Sequence, residues 1–382
     1  MVLKETFQFP NFVRVKGEGE DENTFTVGKS HLTVAKYPDY LPTWNSKEFY
    51  PPLEFTEHHD KGKLADEKLP HLLGAEVKTK PITPKFGTEV RGAQLSSLSD
   101  EGKNELALLV AQRGVVIFRE QDFFDHGPEF ASDYVKYFGP LHIHPTSGAP
   151  KNHPELHIVY YRKDSPSKVS VHEAKNRNKL VLWHSDVTYE LQPPGTTFFG
   201  YLEGPESGGD TLFADTDEAY DRLSSAFKQR LEGLQALHTS HDQAQSARSL
   251  NGVEKRDPVN NIHPLVRIHP VTGKKSLFVN PSFTRKIIGL KEEESDALLQ
   301  FLFDHIRGGH DFQLRANYEK GTVVVWDNRR VVHSAIFDWN DGNAARHAVR
   351  VTPQAERPVE SLSDLNKPSK NGDTGEYTYT TF

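Results

Sequence analysis

The sequence predicts a mainly β protein with flanking helices, an α+β arrangement whose strands form an open-ended barrel or a sandwich. Short apolar runs bounded by Gly, Pro and Asn turns recur through the second half of the 382-residue chain. Four segments show the apolar spacing of amphipathic helices, with capping residues before them or glycine after them. They lie at 97–114, 127–139, 216–234 and 291–309.

The first half contributes two of these helices and one strand. In the first helix Leu106, Leu109 and Val110 share a face, and Gly114 is its predicted end. The run GVVIFR at 114–119 then predicts a buried strand.

From residue 179 onwards the pattern changes to short strands. The third helix, 216–234, has apolar residues four apart, and the fourth, 291–309, begins with an acidic turn. Strands are expected at 179–184, 196–203 and 210–215, in a hairpin around 272–273, as two strands with a bend in 312–337, and at 346–353.

The remaining segments lack such periodicity. We expect an irregular, surface-wrapped N-terminal extension at 1–85, a principal domain at 86–358, and a polar C-terminal tail at 359–382. Residues 242–261 are long, polar and unpatterned, as lid-like or disordered inserts often are.

Composition indicates a soluble globular protein, with 36% hydrophobic and 26% charged residues. The net charge of −7, without a basic block, argues against nucleic acid as a partner. No apolar run approaches the about 20 residues needed to span a bilayer, and the absence of cysteine excludes disulfides and thiolate metal sites. We expect a cytoplasmic protein without a membrane partner, and the sequence leaves room for a homo-oligomer.

Two polar residues of ligand type end the strand predicted before residue 185. Because alternate strand residues share a face, His184 and Asp186 are expected to point the same way. They form either a structural His–Asp hydrogen bond or half of a metal site. The same spacing recurs at His58 and Asp60, but in polar text without a strand pattern, so we interpret that pair as surface residues.

A second histidine, His333, follows the buried run VVVWD and a turn. Two histidines and one carboxylate with open positions opposite them are the ligand set of non-haem Fe(II) oxygenases. A catalytic zinc ion uses the same trio, and His333 alone is also an ordinary residue for a barrel rim. The ligands therefore leave the metal open.

Two arginines bear on the choice between an iron and a zinc site. On one strand Arg346 and Arg350 share a face, and two guanidinium groups in one cavity are costly unless anions meet them. Arginine suits bidentate capture of a carboxylate or sulfonate. The alternative is a pair of exposed, salt-bridging arginines on an edge strand.

Four ordered motifs carry a family resemblance: WHSDVTYELQPPGTTFFGYLEGPESGGDTLFAD, HPVTGKKSLFVN, WDNRRVVHSA and RHAVRV. Over about 85–355 the sequence resembles the taurine/α-ketoglutarate dioxygenase family, most of all its long eukaryotic sulfonate dioxygenases. The resemblance implies a jelly-roll core, the double-stranded β-helix. It also implies Fe(II) held by His184, Asp186 and His333, with 2-oxoglutarate and O₂ as cosubstrates.

The resemblance also assigns binding roles. Thr211 matches the threonine that touches one carboxylate of 2-oxoglutarate, Arg346 matches the arginine that holds the other, and Trp326 matches an aromatic residue beside the iron. In FGPLHIHPTSG, His144 matches a histidine that grips the sulfonate together with Arg350. The implied reaction hydroxylates the carbon next to sulfur and yields an aldehyde, sulfite, succinate and CO₂.

Two departures concern the rest of the substrate pocket. Taurine enzymes have a tyrosine where this chain has Ser147, and an asparagine near the place of Lys179 and Leu180. Taurine itself is therefore not the expected substrate, and a sulfate ester or another carboxylate-bearing small molecule is the alternative to a different sulfonate. A zinc hydrolase and a non-catalytic jelly-roll binding protein are weaker alternatives.

Overall fold

The computed structural model describes residues 12–14, 23–27, 34–161, 182–249, 252–339 and 345–368. The helices are α1 Asp100–Arg113, α2 Pro128–Val135, α3 Thr216–Asp221, α4 Ser225–Leu231, α5 His241–Ser249 and α6 Glu292–Gly308. The strands are β1 Phe12–Arg14, β2 Thr24–Val27, β3 Thr43–Asn45, β4 Lys78–Pro81, β5 Thr88–Arg91, β6 Val115–Phe118, β7 Leu156–Tyr161, β8 Thr196–Glu203, β9 Thr211–Asp215, β10 Gln235–Thr239, β11 Asn260–Pro264, β12 Val266–Ile268, β13 Lys275–Leu277, β14 Thr284–Ile287, β15 Gln313–Ala316, β16 Val323–Asp327, β17 Val331–Ala335 and β18 Arg346–Val351.

Two facing sheets form the centre of the molecule. The large sheet has the order β4-β5-β6-β16-β8-β18-β7, and its strands are antiparallel except for the β5–β6 pair. The small sheet has the order β15-β9-β17. Strand alternation divides their side chains: Val324 and Trp326 of β16 pack between the sheets, whereas Val323 and Val325 pack on the outer face of the large sheet.

Helices cover both outer faces. α1, α2 and N-terminal residues pack on the large sheet, and α3, α4 and α6 pack on the small sheet. The hydroxyl of Ser99 caps α1 by accepting from the Gly102 N–H. Gly114 ends α1 with φ of +71°, where a Cβ atom would meet the Phe86 ring at 2.6 Å, so glycine is required there.

The predicted mainly β, helix-flanked architecture and three of the four predicted helices are confirmed. The helix predicted over 216–234 is wrong, because α3 ends at Asp221 and α4 begins at Ser225. Ser224 divides them, since its hydroxyl accepts from the Phe227 N–H and so starts a new helix.

Most predicted strands are confirmed, with two corrections. The segment 312–337 holds three strands rather than two, since β15 pairs with β9 before β16 and β17 follow. Of the strand predicted at 179–184, residues 179–181 lie outside the described ranges, and the rest forms one isolated bridge from His184 to His333.

The prediction of an irregular, surface-wrapped N-terminal extension is wrong for its described residues. β1, β2 and β3 form a separate three-stranded sheet, and the β4–β5 pair spans the predicted boundary at 85. Val27, Tyr40 and Leu72 are buried in the core with α1 and α2. Their apolar residues come in short pairs such as Tyr40–Leu41 and Leu72–Leu73, too short to give an extended periodic signal.

The segment 242–261 is likewise more ordered than predicted. Part of it is helix α5, and Lys255 and Arg256 are buried. A lid role stays a prediction. The predicted tail begins packed, because Val359 is buried and its carbonyl accepts from the Ile268 N–H. None of the helices in the described ranges is both long and apolar enough to cross a membrane.

Candidate active site

The three predicted metal ligands meet between the sheets. His184 Nε2 and His333 Nε2 each lie 3.6 Å from Asp186 Oδ1, and the ligand atoms of all three lie within 4.8 Å of one another. β17 supplies His333, whose backbone exchanges hydrogen bonds of 2.9 and 2.7 Å with that of His184. The bridge thus fixes two ligands, and the following turn brings in Asp186.

The protonation of the trio fits a divalent cation. His184 Nδ1 donates to the Leu182 carbonyl over 2.6 Å, which leaves the Nε2 lone pair available. Burial lowers the pKa of His333 to about 3, so its imidazole is neutral. Although burial opposes ionisation, the Arg350 guanidinium holds the pKa of Asp186 well below its usual range. Asp186 Oδ2 is buried and accepts no hydrogen bond from the part of the chain described.

A residue that sequence reasoning missed fixes the third ligand. Asn328 Oδ1 accepts from the Asp186 N–H over 2.7 Å, and Asn328 Nδ2 donates to the Asp186 carbonyl over 3.0 Å. Both backbone groups of the ligand are therefore held by one amide. The signal was a polar residue directly after the apolar run of β16.

A second cluster has metal-ligand spacing but a different role. His58, Asp60 and Glu356 offer ligand atoms within 4.8 Å of one another. However, the Arg329 guanidinium donates to both carboxylates, so a cation already occupies that position. The interpretation of His58 and Asp60 as surface residues is wrong, since both side chains are under 10% exposed.

Arg346 is a buried cation with no carboxylate partner among the residues that the structure describes. It is 3% exposed, and it donates to the Gly209 carbonyl over 3.1 and 3.3 Å. Its guanidinium lies 5.4 Å from the Trp339 ring centre. Within the described ranges no Asp or Glu oxygen forms an ion pair with it, so an external anion is the natural counter-charge.

Thr211 belongs to the same part of the site. It lies on β9 two positions before Phe213, which pairs with His333. Its hydroxyl is 2.7 Å from the hydroxyl of Tyr318. Tyr318 and Arg346 interact electrostatically, and this interaction affects the pKa of each of these two side chains. Burial raises the pKa of Tyr318 to about 12, so this phenol stays protonated. Tyr318 was missed, because nothing in the surrounding sequence distinguishes it.

Trp326 lies beside His333 of the candidate metal trio, where the resemblance implied an aromatic residue. Its ring centre is 5.0 Å from that of His333 and 5.5 Å from that of Phe213. It also belongs to the core between the sheets, so packing is part of its role.

Arg350 lies beside the trio rather than on an exposed edge. Its Nη1 donates to Asp186 Oδ1 over 2.5 Å, and its Nη2 donates to His157 Nδ1 over 2.8 Å. His144 is brought to the same place, with its ring 4.4 Å from that of His157. His157 was missed, although the alternating run LHIVYY could have marked its strand. Lys179 and Leu180 lie outside the described ranges.

Two facing β-sheets that hold two histidines, one carboxylate and a buried arginine, with no counter-ion for it in the described ranges, are typical of a non-haem metal oxygenase. The chain belongs to the taurine catabolism dioxygenase TauD, TfdA family, whose model matches residues 78–352. The family resemblance found in the sequence is confirmed, and with it the prediction of a 2-oxoglutarate-dependent dioxygenase.

Individual relatives support this assignment. The α-ketoglutarate-dependent sulfonate dioxygenase of Saccharomyces cerevisiae is 51% identical over 357 residues, which is 91% of this chain and 86% of the relative. An α-ketoglutarate-dependent sulfate ester dioxygenase of Pseudomonas putida is 27% identical over 79% of this chain and 97% of its own. The crystal structure of a taurine dioxygenase from Burkholderia xenovorans is 29% identical, with a TM-score of 0.59 over 74% of this chain and 91% of that one.

Proposed function

We propose that this enzyme uses Fe(II), 2-oxoglutarate and O₂ to hydroxylate a small sulfonate at the carbon next to sulfur. The proposal also takes the two facing sheets as a double-stranded β-helix. Its main support is the pairing of the His184, Asp186 and His333 trio with two arginines on one strand face. A zinc hydrolase would gain nothing from a buried arginine reserved for a second carboxylate.

The cosubstrate site is proposed around Arg346. 2-Oxoglutarate has two carboxylates, and a buried guanidinium that has no counter-ion among the described residues suits the one remote from the metal. The Thr211 hydroxyl, held by Tyr318, would donate to the other. These side chains would orient the diacid toward the trio in a space from which the aromatic residues of the inter-sheet core exclude water.

The substrate site is proposed around Arg350 and His144, both beside the trio. They would hold the anionic head so that the adjacent carbon faces the metal. When bound, iron supplies activation of O₂, coupled to conversion of 2-oxoglutarate into succinate and CO₂. Hydroxylation next to sulfur gives an unstable product that separates into an aldehyde and sulfite.

The second candidate substrate is a sulfate ester. Ser147 stands where taurine enzymes have a tyrosine, so contacts beyond the anionic head differ. The Pseudomonas putida relative acts on sulfate esters according to its name, and a sulfate ester presents the same singly charged head. Another carboxylate-bearing molecule is the third candidate.

The deciding experiment has two stages. First, anaerobic protein with Fe(II) is titrated with 2-oxoglutarate, and we expect a visible metal-to-ligand charge-transfer band. Absence of the band would favour a hydrolase or a binding protein. Second, sulfite release and succinate formation are measured with taurine, longer alkylsulfonates, alkyl sulfate esters and the matching carboxylates. Turnover of carboxylates alone would overturn the sulfonate proposal.

We further infer a cytoplasmic enzyme that binds neither nucleic acid nor membranes. The net charge of −7 supports this inference. Self-association stays a prediction, for which sedimentation of the purified enzyme is the test.

A further inference from the structure

Four side chains form a continuous hydrogen-bonded series beside the metal trio. Strands β7 and β18 pair so that His157 lies opposite Arg350, and Arg350 Nη2 donates to His157 Nδ1 over 2.8 Å. His157 Nε2 lies 3.2 Å from Ser147 Oγ, and Ser147 Oγ lies 2.9 Å from His144 Nδ1. We call Arg350, His157, Ser147 and His144 the relay.

The relay has one consistent arrangement of protons. A guanidinium can only donate, so His157 Nδ1 accepts and the proton of His157 lies on Nε2. That N–H donates to Ser147 Oγ, whose own hydrogen then goes to His144 Nδ1. The backbone N–H of Thr146, which also can only donate, points to the same His144 Nδ1 over 3.3 Å. His144 therefore carries its proton on Nε2.

Both imidazoles of the relay are neutral. Burial is the main cause that lowers the pKa of His144 and of His157 well below the usual value, and Arg350 lowers both further. His144 Nε2 has no hydrogen-bond partner among the residues the structure describes, so its N–H is available to a ligand.

The other cations nearby already have carboxylate partners. Lys255 Nζ lies 3.4 Å from Glu48 Oε2, and Arg256 Nη1 lies 2.8 Å from Glu190 Oε1. Arg350 is thus the only cation of the relay, and its own partner, Asp186, is a proposed metal ligand.

We propose that His157 and Ser147 are positioning residues that fix His144 as a neutral Nε2–H donor toward the substrate. Among the residues that the structure describes, the substrate site then offers one cation, on Arg350, and one neutral N–H. A singly charged head, such as a sulfonate or a sulfate ester, matches this pair. A phosphonate dianion would bring a second charge without a second cation. This inference rests on the proposed function, because it concerns the head group of that substrate.

Kinetics of paired variants test the relay. Ser147→Ala and His157→Leu break the relay. Ser147→Thr keeps the hydroxyl, and His157→Gln keeps one hydrogen-bond acceptor and one donor. In the broken variants we expect the KM for the sulfonate to rise about tenfold, since the site loses one oriented donor. Preference for the sulfonate over the matching phosphonate should fall, and the conservative variants should restore much of both. The 2-oxoglutarate affinity and the charge-transfer band should not change.

The matched control is His347→Leu. His347, on β18, is fully buried where His157 is half-buried, and it lies on the opposite face, where it hydrogen-bonds to the Tyr40 carbonyl. It should lose stability without a change in sulfonate KM. If His347→Leu raises that KM as much as His157→Leu does, the effect is general loosening and the relay is overturned.

A second measurement does not depend on turnover. In zinc-substituted enzyme labelled with ¹⁵N-histidine, long-range ¹H–¹⁵N spectra report which ring nitrogen carries the proton. We expect Nε2–H for His144 and His157, and Nδ1–H on His144 would overturn the proposal. If the wild-type enzyme neither uses a sulfonate nor shifts its charge-transfer band with one, the proposed function fails. If it does both while the broken variants keep the wild-type KM and preference, only the relay fails.

Discussion

At the scale of single residues, the clearest functional signal is a buried charge with no carboxylate partner in the part of the chain described. Arg346 is buried, yet its hydrogen bonds go to a backbone carbonyl rather than to a carboxylate. Buried guanidinium groups elsewhere in the described ranges, such as those of Arg329 and Arg330, have carboxylates. This contrast with the structural arginines supports the binding role proposed for Arg346.

Replacing Arg346 by Ala should therefore raise the KM for 2-oxoglutarate about a hundredfold, since one carboxylate loses its charged partner. Iron binding should be retained, because no trio ligand contacts this side chain in the described ranges. Titration of the charge-transfer band measures the effect. Arg222→Ala, in an exposed ion pair with Asp311, is the control, and an unchanged KM would show that another residue holds the diacid.

The metal trio gives a second prediction at this scale. His184→Ala or His333→Ala leaves two ligands, which hold Fe(II) poorly, so iron binding and succinate formation should both be lost. Equilibrium dialysis and succinate assays measure this. His59→Ala is the control, because its side chain is 79% exposed, and full activity in either ligand variant would contradict the assignment.

At the scale of elements, the turn between β16 and β17 organises the site. Asn328 holds the Asp186 backbone, and Arg329 and Arg330 bind carboxylates on other segments. Three residues of one turn thus fasten the start of the strand that carries His333. The conformation of this turn is fixed from three directions.

Asn328→Ala should consequently weaken iron binding about tenfold or more, as loss of outer-shell support usually does. The KM for 2-oxoglutarate at saturating iron should change little. Asn317→Ala, which removes a partner of Arg119, serves as the matched control. An iron affinity equal to that of the wild type in a folded Asn328→Ala protein would contradict the role.

At the scale of the whole molecule, a buried ion network joins distant parts of the chain. Arg329 donates to Asp327 over two bonds of 2.7 Å, and also to Asp60 and Glu356. Arg267 donates to the same Glu356. Because charges of this kind are costly to bury unpaired, each segment depends on the others.

The pH dependence of stability tests this network. Burial opposes ionisation of Asp60, but Arg329 holds its pKa well below the usual range. A carboxyl with a lowered folded-state pKa adds stability above its unfolded pKa, about 3.9, and loses it as pH falls toward the folded value. Asp60→Asn should thus cost about 3 kcal/mol at pH 7, and the cost should shrink below pH 4.

Urea unfolding of both proteins between pH 7 and 3.5 measures that difference. The exposed pair of Asp133 with Lys136 supplies the control, since Asp133→Asn should change little at any pH. A difference for Asp60→Asn that is constant with pH would mean that its packing, not its charge, is what matters.

The features predicted correctly from the sequence are those carried by local motifs, whose residues are close together in the chain. Motif order placed His184, Asp186 and His333 in one cluster, and the three side chains do meet, although a turn rather than strand alternation directs Asp186. Tyr318 and His157 escaped because their partners are 107 and 193 residues away. His157 meets Arg350 through the register of β7 and β18, and Tyr318 follows β15, whose Ala316 pairs with Thr211. The N-terminal segment was misjudged for a related reason, because its buried residues contact a core made elsewhere in the chain.

The span that the family model matches and the span that must fold together are not the same. The family match covers residues 78–352, while two of the three carboxylates that neutralise Arg329, on Asp60 and Glu356, lie outside it. The segment that the family model matches therefore depends on ion-pair partners from the residues on both sides of it. A hybrid enzyme with 78–352 taken from a relative would fold only where that relative supplies a matching cation for Asp60 and Glu356.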